Sequence, residues 1–422
     1  MEGVCEKSGE TSSSKEEFRV VIKLTEYQKK ALHDLKSLIK NDPGDDLFCS
    51  FEGSHATIWG VPLLGHTKSD SVILKFLKAR NFEVFDAYAM IMNTLLWRDE
   101  VGIELLLQDD VGIHDNKSVM FTHGYDKEGY PVWYLVLEDV LVNNRSQITS
   151  YDDQEGRKFF RWLIQFTEKN VRKIVCSTRG QNSILLVIDL KSLTRYGNRD
   201  LYKVIYKYLQ MLSDYYPEFV AKQLWINVAW WYRNYCRVYS MVFDAWSTNQ
   251  VVFSGQTKTI ETLFTYISPV QVPVKYGGLS RDNEQDFHQS STDDISPDVT
   301  INPSATQRLE FHFTKPCKVI WDLRMISWDA VYEAKFEPDS KESYTTAISR
   351  PRKLTANDEP VISEGFSVDE PGKLVLAICN ISSKKKKLLT RVRVVSSEMN
   401  TEPEASLRGW LVQSDDESSM IC

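Results

Sequence analysis

The sequence predicts a multidomain chain: a helical N-terminal lobe plus an α/β domain, followed by an all-β sandwich. Three observations predict it. Apolar residues recur at helical spacing from about Leu24 to Gln108. Short apolar runs then alternate with longer helical patterns as far as Phe253, and beyond a polar stretch apolar and polar residues alternate one by one, as in strands with one buried face. With 422 residues the chain is too long for one ordinary core, and 42% hydrophobic with 26% charged residues is the composition of folded protein.

The lobe is assigned to residues 25–110, after a Ser-, Glu- and Lys-rich start (1–24) read as disordered. Ile73, Phe76, Leu77 and Arg80 share one helical face, and Phe85, Ala89, Met92 and Leu96 share a face of the next helix. Asp70 and Asp86 stand where N-caps are useful. The α/β domain, 111–280, carries the runs Pro131–Leu137, Ser183–Asp189, Gln223–Val228 and Gln250–Phe253. Helical patterns at about Asp152–Ser177, Asn198–Tyr216 and Ala229–Trp246 separate them. That alternation predicts a mostly parallel sheet covered by helices, with Ile184–Ile188 as a central strand. Residues 281–303, rich in Ser, Asp, Asn and Pro, read as a linker. In 304–397, short strands are predicted around Leu309–Phe313, Val319–Leu323, Ala330–Phe336, Gly365–Val368, Lys373–Asn380 and Leu388–Val395, with turns at Pro371-Gly372 and Ser382-Ser383. Residues 398–422 read as a disordered acidic tail.

Composition also excludes. A net charge of −7 offers no global attraction to nucleic acid, and no nucleic-acid partner is expected. The seven cysteines are scattered without CxxC or zinc spacing, which suits a reducing cytosol and predicts no metal and no cofactor. Met1–Glu17 lacks a signal-peptide core, and no run approaches the ~18 apolar residues of a spanning helix. Cys422, as the last residue, does not form a prenylation box, and the sequons at Asn144 and Asn380 read as chance. Gly60–Thr67 superficially matches a phosphate-binding loop, but His66 replaces its lysine and Pro62 removes a backbone donor. There is no GxSxG elbow, HExxH or dinucleotide fingerprint, and the seven histidines are dispersed, so no catalysis is expected.

The stretch Asp70–Phe82, followed at helical distance by Leu96-Trp97-Arg98, resembles the start of Sec14-like (CRAL-TRIO) domains. Asp126–Val132, Asp214–Glu218, Ile226–Val228 and Val272–Gly278 match further motifs of that family in its order. Ile58–Pro62 ahead of the module and a GOLD-like sandwich behind it resemble the plant patellins, over about residues 25–396; the long acidic, Pro-rich N-terminal extension of many patellins is nearly absent. The resemblance implies a Sec14-like lipid-pocket domain and a GOLD sandwich.

A two-chain lipid carries roughly 30 methylenes at ~0.8 kcal/mol each, so a carrier needs an apolar cavity and a door. The resemblance assigns the door to an aromatic gate helix containing Trp230, Trp231, Tyr232, Tyr235, Tyr239, Met241, Val242 and Phe243. Composition alone favours an aromatic helix permanently packed on the sheet. For the headgroup, Arg80 matches the family's phosphate-contacting arginine and Glu218 its Tyr-Pro-Glu glutamate. Asn81 and Gln250 stand where the family has lysines, and an amide lacks the charge that strengthens bonds to phosphate. A structural ion pair or a solvated face is the other reading of Arg80 and Glu218. Lys384, Lys385, Lys386 and Lys387 fall between two predicted strands, with Arg391 and Arg393 on one face of the next. A charge run is ordinarily a solvated, aggregation-blocking edge. Beside a lipid module it is read as a membrane-docking patch, supplying about 1 kcal/mol per basic residue.

The resemblance therefore implies a non-enzymatic lipid-binding or transfer protein with two partners: a phospholipid or other hydrophobic ligand, and an anionic, phosphoinositide-bearing membrane. It places the protein in the cytoplasm and at peripheral membrane, acting in trafficking and cell-plate formation. The alternative is a trafficking adaptor whose sandwich binds protein cargo and whose pocket is structural. A lipid hydrolase ranks last, for want of a nucleophile.

Overall fold

In the computed structural model the described residues are 24–41, 56–110, 119–137, 154–177, 182–191, 199–230, 250–281, 298–326, 329–340, 342–355 and 360–395. The lobe begins with α1 (Glu26–Asn41), whose Ala31, Leu35 and Ile39 are spaced by four and buried. Thr25 and Gln28 cap it reciprocally: the Gln28 N–H donates to Thr25 Oγ1 (3.3 Å) and the Thr25 N–H to Gln28 Oε1 (3.0 Å). A small hairpin, β1 (Thr57–Ile58) and β2 (Val61–Pro62), precedes α2 (Ser69–Ala79), α3 (Val84–Val101) and α4 (Ile103–Gln108). The hairpin turn buries Trp59, which stacks on Phe76 at 5.5 Å and meets Phe219 edge-on at 4.6 Å. The sequence Ile58–Pro62 is thus a plug for the lobe's core, worth about the 1.5–3 kcal/mol of a large buried side chain.

α3 buries Ala87, Met90, Ile91, Thr94, Leu95 and Arg98. The stripe Phe85, Ala89, Met92 and Leu96 does share a face, but it is the outward one: Phe85 is 77% and Leu96 47% exposed. α3 is apolar on two sides, and spacing alone cannot say which side meets the core.

The α/β module follows, with β3 (Met120–Tyr125), β4 (Pro131–Val136), α5 (Gln154–Cys176), β5 (Ile184–Asp189), α6 (Arg199–Tyr215), β6 (Val220–Val228), β7 (Val251–Gly255) and α7 (Thr259–Tyr266). One five-stranded sheet runs in the order β3-β4-β5-β6-β7. In sequence α5 lies between β4 and β5 and α6 between β5 and β6, connections of the length that a crossover between parallel neighbours needs. Every residue of β5 is buried, as its unbroken apolar run predicts. In the turn between β3 and β4, Asp126 Oδ1 accepts the N–H groups of Glu128 (2.9 Å) and Tyr130 (2.8 Å).

The sandwich comprises β8 (Asp298–Ile301), β9 (Thr306–Phe313), β10 (Cys317–Met325), β11 (Ala330–Pro338), β12 (Thr346–Leu354), β13 (Ile362–Val368), β14 (Gly372–Asn380) and β15 (Lys386–Val395). Its sheets, β13-β10-β15-β8 and β12-β11-β14-β9, are antiparallel throughout. Trp321, Tyr332, Phe311, Phe336 and Leu376 fill the core, where Trp321 Nε1 donates to Tyr332 Oη (2.9 Å) and that hydroxyl to Glu364 (2.7 Å). Two strands differ from expectation. β8 starts inside the stretch read as linker, and β12 was not anticipated, because Arg350, Pro351, Arg352 and Lys353 carry no apolar alternation. β12 is an edge strand, where proline and charge block further pairing.

By backbone contacts the chain forms two compact units: Met1–Met120 with Leu135–Gln223 and Trp231–Val252, and Phe121–Tyr134 with Leu224–Trp230 and Phe253–Cys422. The last segment of the α/β module, Phe253 to Arg281, therefore belongs with the sandwich.

Candidate functional site

The recognised motifs fold into distinct kinds of position. Arg98, from Leu96-Trp97-Arg98, is buried and forms a bidentate pair with Glu168 of α5 at 2.8 and 3.0 Å. Glu168 also accepts from Arg172 Nε (2.9 Å) and Tyr216 Oη (2.8 Å), while Arg172 reaches Glu104 as well. Burial pushes the Glu168 carboxyl up, but the two guanidiniums outweigh it and hold its pKa below the usual carboxylate value. Every lone pair is thus engaged and nothing remains for a ligand, so this arginine and the tyrosine of Tyr-Pro-Glu are architectural.

Glu218 follows that tyrosine in the left-handed region (φ 58°). Its backbone carbonyl accepts Lys75 Nζ (2.9 Å) and Ser183 Oγ (2.8 Å). Lys75, in the middle of α2, also donates to the Asn182 carbonyl (2.5 Å) and lies 4.0 Å from the Phe219 ring centroid. Burial lowers its pKa to about 7, with the Glu218 charge only partly opposing. No sequence signal singled out Lys75, because lysine ordinarily reads as surface.

Arg80 and Asn81 close α2. The Phe82 N–H bonds the Leu77 carbonyl (2.7 Å) and the Asn81 N–H the Lys78 carbonyl (3.2 Å), the paired bonds of a Schellman motif. Asn81 is its left-handed residue (φ 51°), a position that favours glycine or asparagine over lysine. The amide at this position therefore has a backbone explanation. Arg80 borders an open groove of about 520 Å³ shared with Asp86, Glu100, Asp214, Trp97 and Tyr215. Burial raises the Asp214 pKa and Arg80 lowers it in part. One guanidinium among three carboxylates is a poor phosphate site.

At the other end of the sheet, Gln250 is half-buried immediately before β7. The neighbouring Trp225 and Phe253 lie 5.7 Å apart and are half-buried, in contrast to the closed β5. Trp230 is 80% exposed at the start of the assigned gate helix. Trp231, Tyr232, Tyr235, Tyr239, Met241, Val242 and Phe243 lie outside the described residues.

The basic patch of the sandwich divides. Lys384 and Lys385 are exposed in the turn between β14 and β15. That turn is built on Asn380, fully buried, whose Nδ2 donates to the carbonyls of Lys384 (2.8 Å), Ile301 (3.1 Å) and Asn302 (3.0 Å). Its Oδ1 accepts the Ser382 N–H and hydroxyl, at 3.0 and 2.7 Å, so this sequon asparagine is structural. Lys386 and Lys387 are already strand, half-buried, and Lys387 Nζ sits 5.1 Å over the Phe264 ring. Arg391 does not belong to a docking patch: it is 2% exposed and paired with Asp322, whose other oxygen accepts Ser363 Oγ (2.5 Å). Arg393, expected on the same face, is half-buried with interactions of its own.

The end of the α/β module meets this part of the sandwich at Arg324 and Lys387. Arg324 Nη1 donates to the carbonyls of Val274 (2.7 Å) and Gly278 (2.9 Å) in the Val272–Gly278 motif. The glycines make that loop possible: Gly277 has φ 94°, and a Cβ on Gly278 would lie 2.0 Å from the Val272 carbonyl oxygen. Alternation placed Arg391 and Arg393 on one face correctly, and nothing in it said that the face is occupied.

A helical lobe, then an α/β sheet, then an antiparallel sandwich of eight strands among the described residues, in that order along the chain, define a Sec14-like, GOLD-bearing, lipid-binding class. Family models agree: the CRAL/TRIO N-terminal domain matches residues 27–93, the CRAL/TRIO domain 115–278, and the Patellin-1-like C-terminal GOLD domain 302–386. Patellin-3 of Arabidopsis thaliana is 39% identical over 90% of this chain and 78% of its own length, and Patellin-6 of the same plant 32% over 90% and 89%. The chain belongs to the patellin family. The SEC14 cytosolic factor of Eremothecium gossypii is 25% identical over 51% of this chain and 72% of its own. No helix among the described residues is long and apolar enough to cross a membrane.

Proposed function

We propose that this protein takes a hydrophobic ligand, a phospholipid by preference, onto the β6–β7 end of its sheet and docks peripherally on phosphoinositide-containing membranes through the Lys384–Lys385 turn. It acts as a non-enzymatic carrier or sensor in membrane trafficking, including cell-plate formation. The observation that carries the ligand half is the half-buried aromatic pair Trp225 and Phe253, on the strands that flank the aromatic segment assigned as a gate. An apolar surface left part-open on β6 and β7, beside a fully buried β5, is where acyl chains gain from leaving water. At the β6–β7 end Gln250 brings no charge, and over all four headgroup candidates the positive charge of Arg80 is offset by the negative charge of Glu218, so headgroup choice rests on hydrogen bonding and shape more than on phosphate charge.

The docking half rests on two lysines whose turn is fixed by a buried asparagine, so little ordering is lost on binding. Mass spectrometry of lipids that co-purify with the chain from plant membranes tests the ligand half. One bound two-chain lipid per chain, lost in Phe253→Asp, is expected. A lipid-free protein that exchanges no labelled lipid between vesicles contradicts it and leaves the adaptor reading.

A further inference from the structure

The groove beside Arg80 is unlike a phosphate site in chemistry, and that is informative. Its lining is mixed: Met90, Leu96, Trp97 and Tyr215 are its large apolar members, among a larger polar share, and the last two stack in parallel with centroids 4.2 Å apart. Three carboxylates, Asp86, Glu100 and Asp214, line it too, and the one attractive charge interaction seen for them among the described residues is that of Arg80 with Asp214. One guanidinium, Arg80, shares the groove, leaving two net negative charges from its ionisable side chains. Outside the groove, Phe85 of α3 and Leu105 of α4 are also exposed, at 77% and 76%.

We infer that this face of the lobe is a docking groove for a basic amphipathic segment of a partner protein, its apolar side chains laid on Leu96 and the Trp97–Tyr215 plate and its Arg or Lys residues paired with Asp86, Glu100 and Asp214. Charge decides the occupant. An anionic membrane would be repelled by these carboxylates, and a second copy of the chain docked by the same face would bring three more of them to the same place. A volume of about 520 Å³ takes two or three side chains of an amphipathic helix, the groove mode in which apolar anchors recur every three or four residues. This lies apart from lipid carriage and does not depend on it.

The test uses the full chain and a labelled 12-residue helical peptide with leucine on one face and arginine on the other, compared with peptides in which Glu replaces Arg or Ser replaces Leu. Fluorescence anisotropy should show the Leu/Arg peptide binding at least tenfold more tightly than either control and weakening with salt. Glu100→Gln with Asp214→Asn, both uncharged near-isosteres at exposed positions, should cost about tenfold and flatten the salt dependence, and Leu96→Ser should cost as much without altering it. Equal affinity for the Arg and Glu peptides overturns the inference. So does a Leu96→Ser variant that loses binding to anionic vesicles, which makes the face a membrane surface, or one that shifts a dimer to monomer, which makes it a self-interface.

Discussion

Arg98 and the Lys384–Lys385 turn are both basic sites in a protein of net negative charge, and their surroundings are opposite. The Arg98 guanidinium is 6% exposed and fully matched by Glu168, while the two lysines stand in water at the tip of a turn held by backbone, Asn380 and Ser382, with neither ammonium in an ion pair among the described residues. The first charge is consumed in holding α3 to α5; the second is left available. The same division runs through the sandwich itself, where Arg391 resembles Arg98 and only a turn away Lys384 does not. A basic residue's contribution to function is therefore decided by whether folding has already supplied its counter-ion.

The largest way to break the comparison is to remove a buried partner. Glu168→Ala strands Arg98 without a counter-charge and should cost about 3–5 kcal/mol in urea unfolding, enough to cancel much of the unit's stability. Asp322→Ala should do the same to Arg391, read as earlier melting of the sandwich; neither effect should appear in Lys384→Ala. If Glu168→Ala unfolds within 0.5 kcal/mol of the parent on the scale expected of a surface change, the claim that this pair is structural is wrong.

Lys75 sharpens the comparison by lying between the two cases, buried yet without a carboxylate in hydrogen-bond reach. Its folded pKa of about 7 lies below its ordinary 10.5. Between these values the unfolded chain binds a proton that the folded chain does not, so its contribution favours folding increasingly as pH rises from about 7 toward 10.5 and is lost as pH falls. Lys75→Met should remove that slope. A lysine side-chain NMR titration of Lys75 with a midpoint near 10.5 contradicts it.

A smaller effect is expected at Asn81. Restoring a lysine there, as in the Sec14 pattern, places a β-carbon-bearing long side chain in the left-handed region and should cost about 1 kcal/mol, against a few tenths for Asn81→Gly. If Asn81→Lys is neutral in stability and raises affinity for phosphoinositide vesicles, the residue is a headgroup position and not only a helix cap.

These cases also mark how far the sequence could be read. The order of lobe, α/β module and sandwich was legible because hydrophobic period changes twice, and β5 was legible because a strand covered on both faces has no polar positions. β12 was not, since an edge strand that carries Arg350 to Lys353 has the pattern of a loop. The Phe85–Leu96 stripe was found with its direction reversed, because a helix with two apolar sides needs a partner to choose between them. Of the candidate site, the motif positions were legible and their roles were not. Arg391 and Lys387 follow the alternation of a surface strand, and the pairing of Arg391 with Asp322 and the placing of Lys387 over Phe264 are tertiary contacts that alternation does not reveal.

The central claim is that free charge on the sandwich turn, and not the basic patch as a whole, carries membrane docking. Flotation of the full chain with vesicles containing phosphatidylinositol phosphates tests it directly, with Lys384→Glu/Lys385→Glu compared against the parent. At about 1 kcal/mol per basic residue, neutralising two costs on the order of 30-fold and reversal costs more, while thermal stability stays unchanged. The account predicts that this variant leaves the vesicle fraction with its fold intact. A double variant that still floats with the vesicles as the parent does would contradict it.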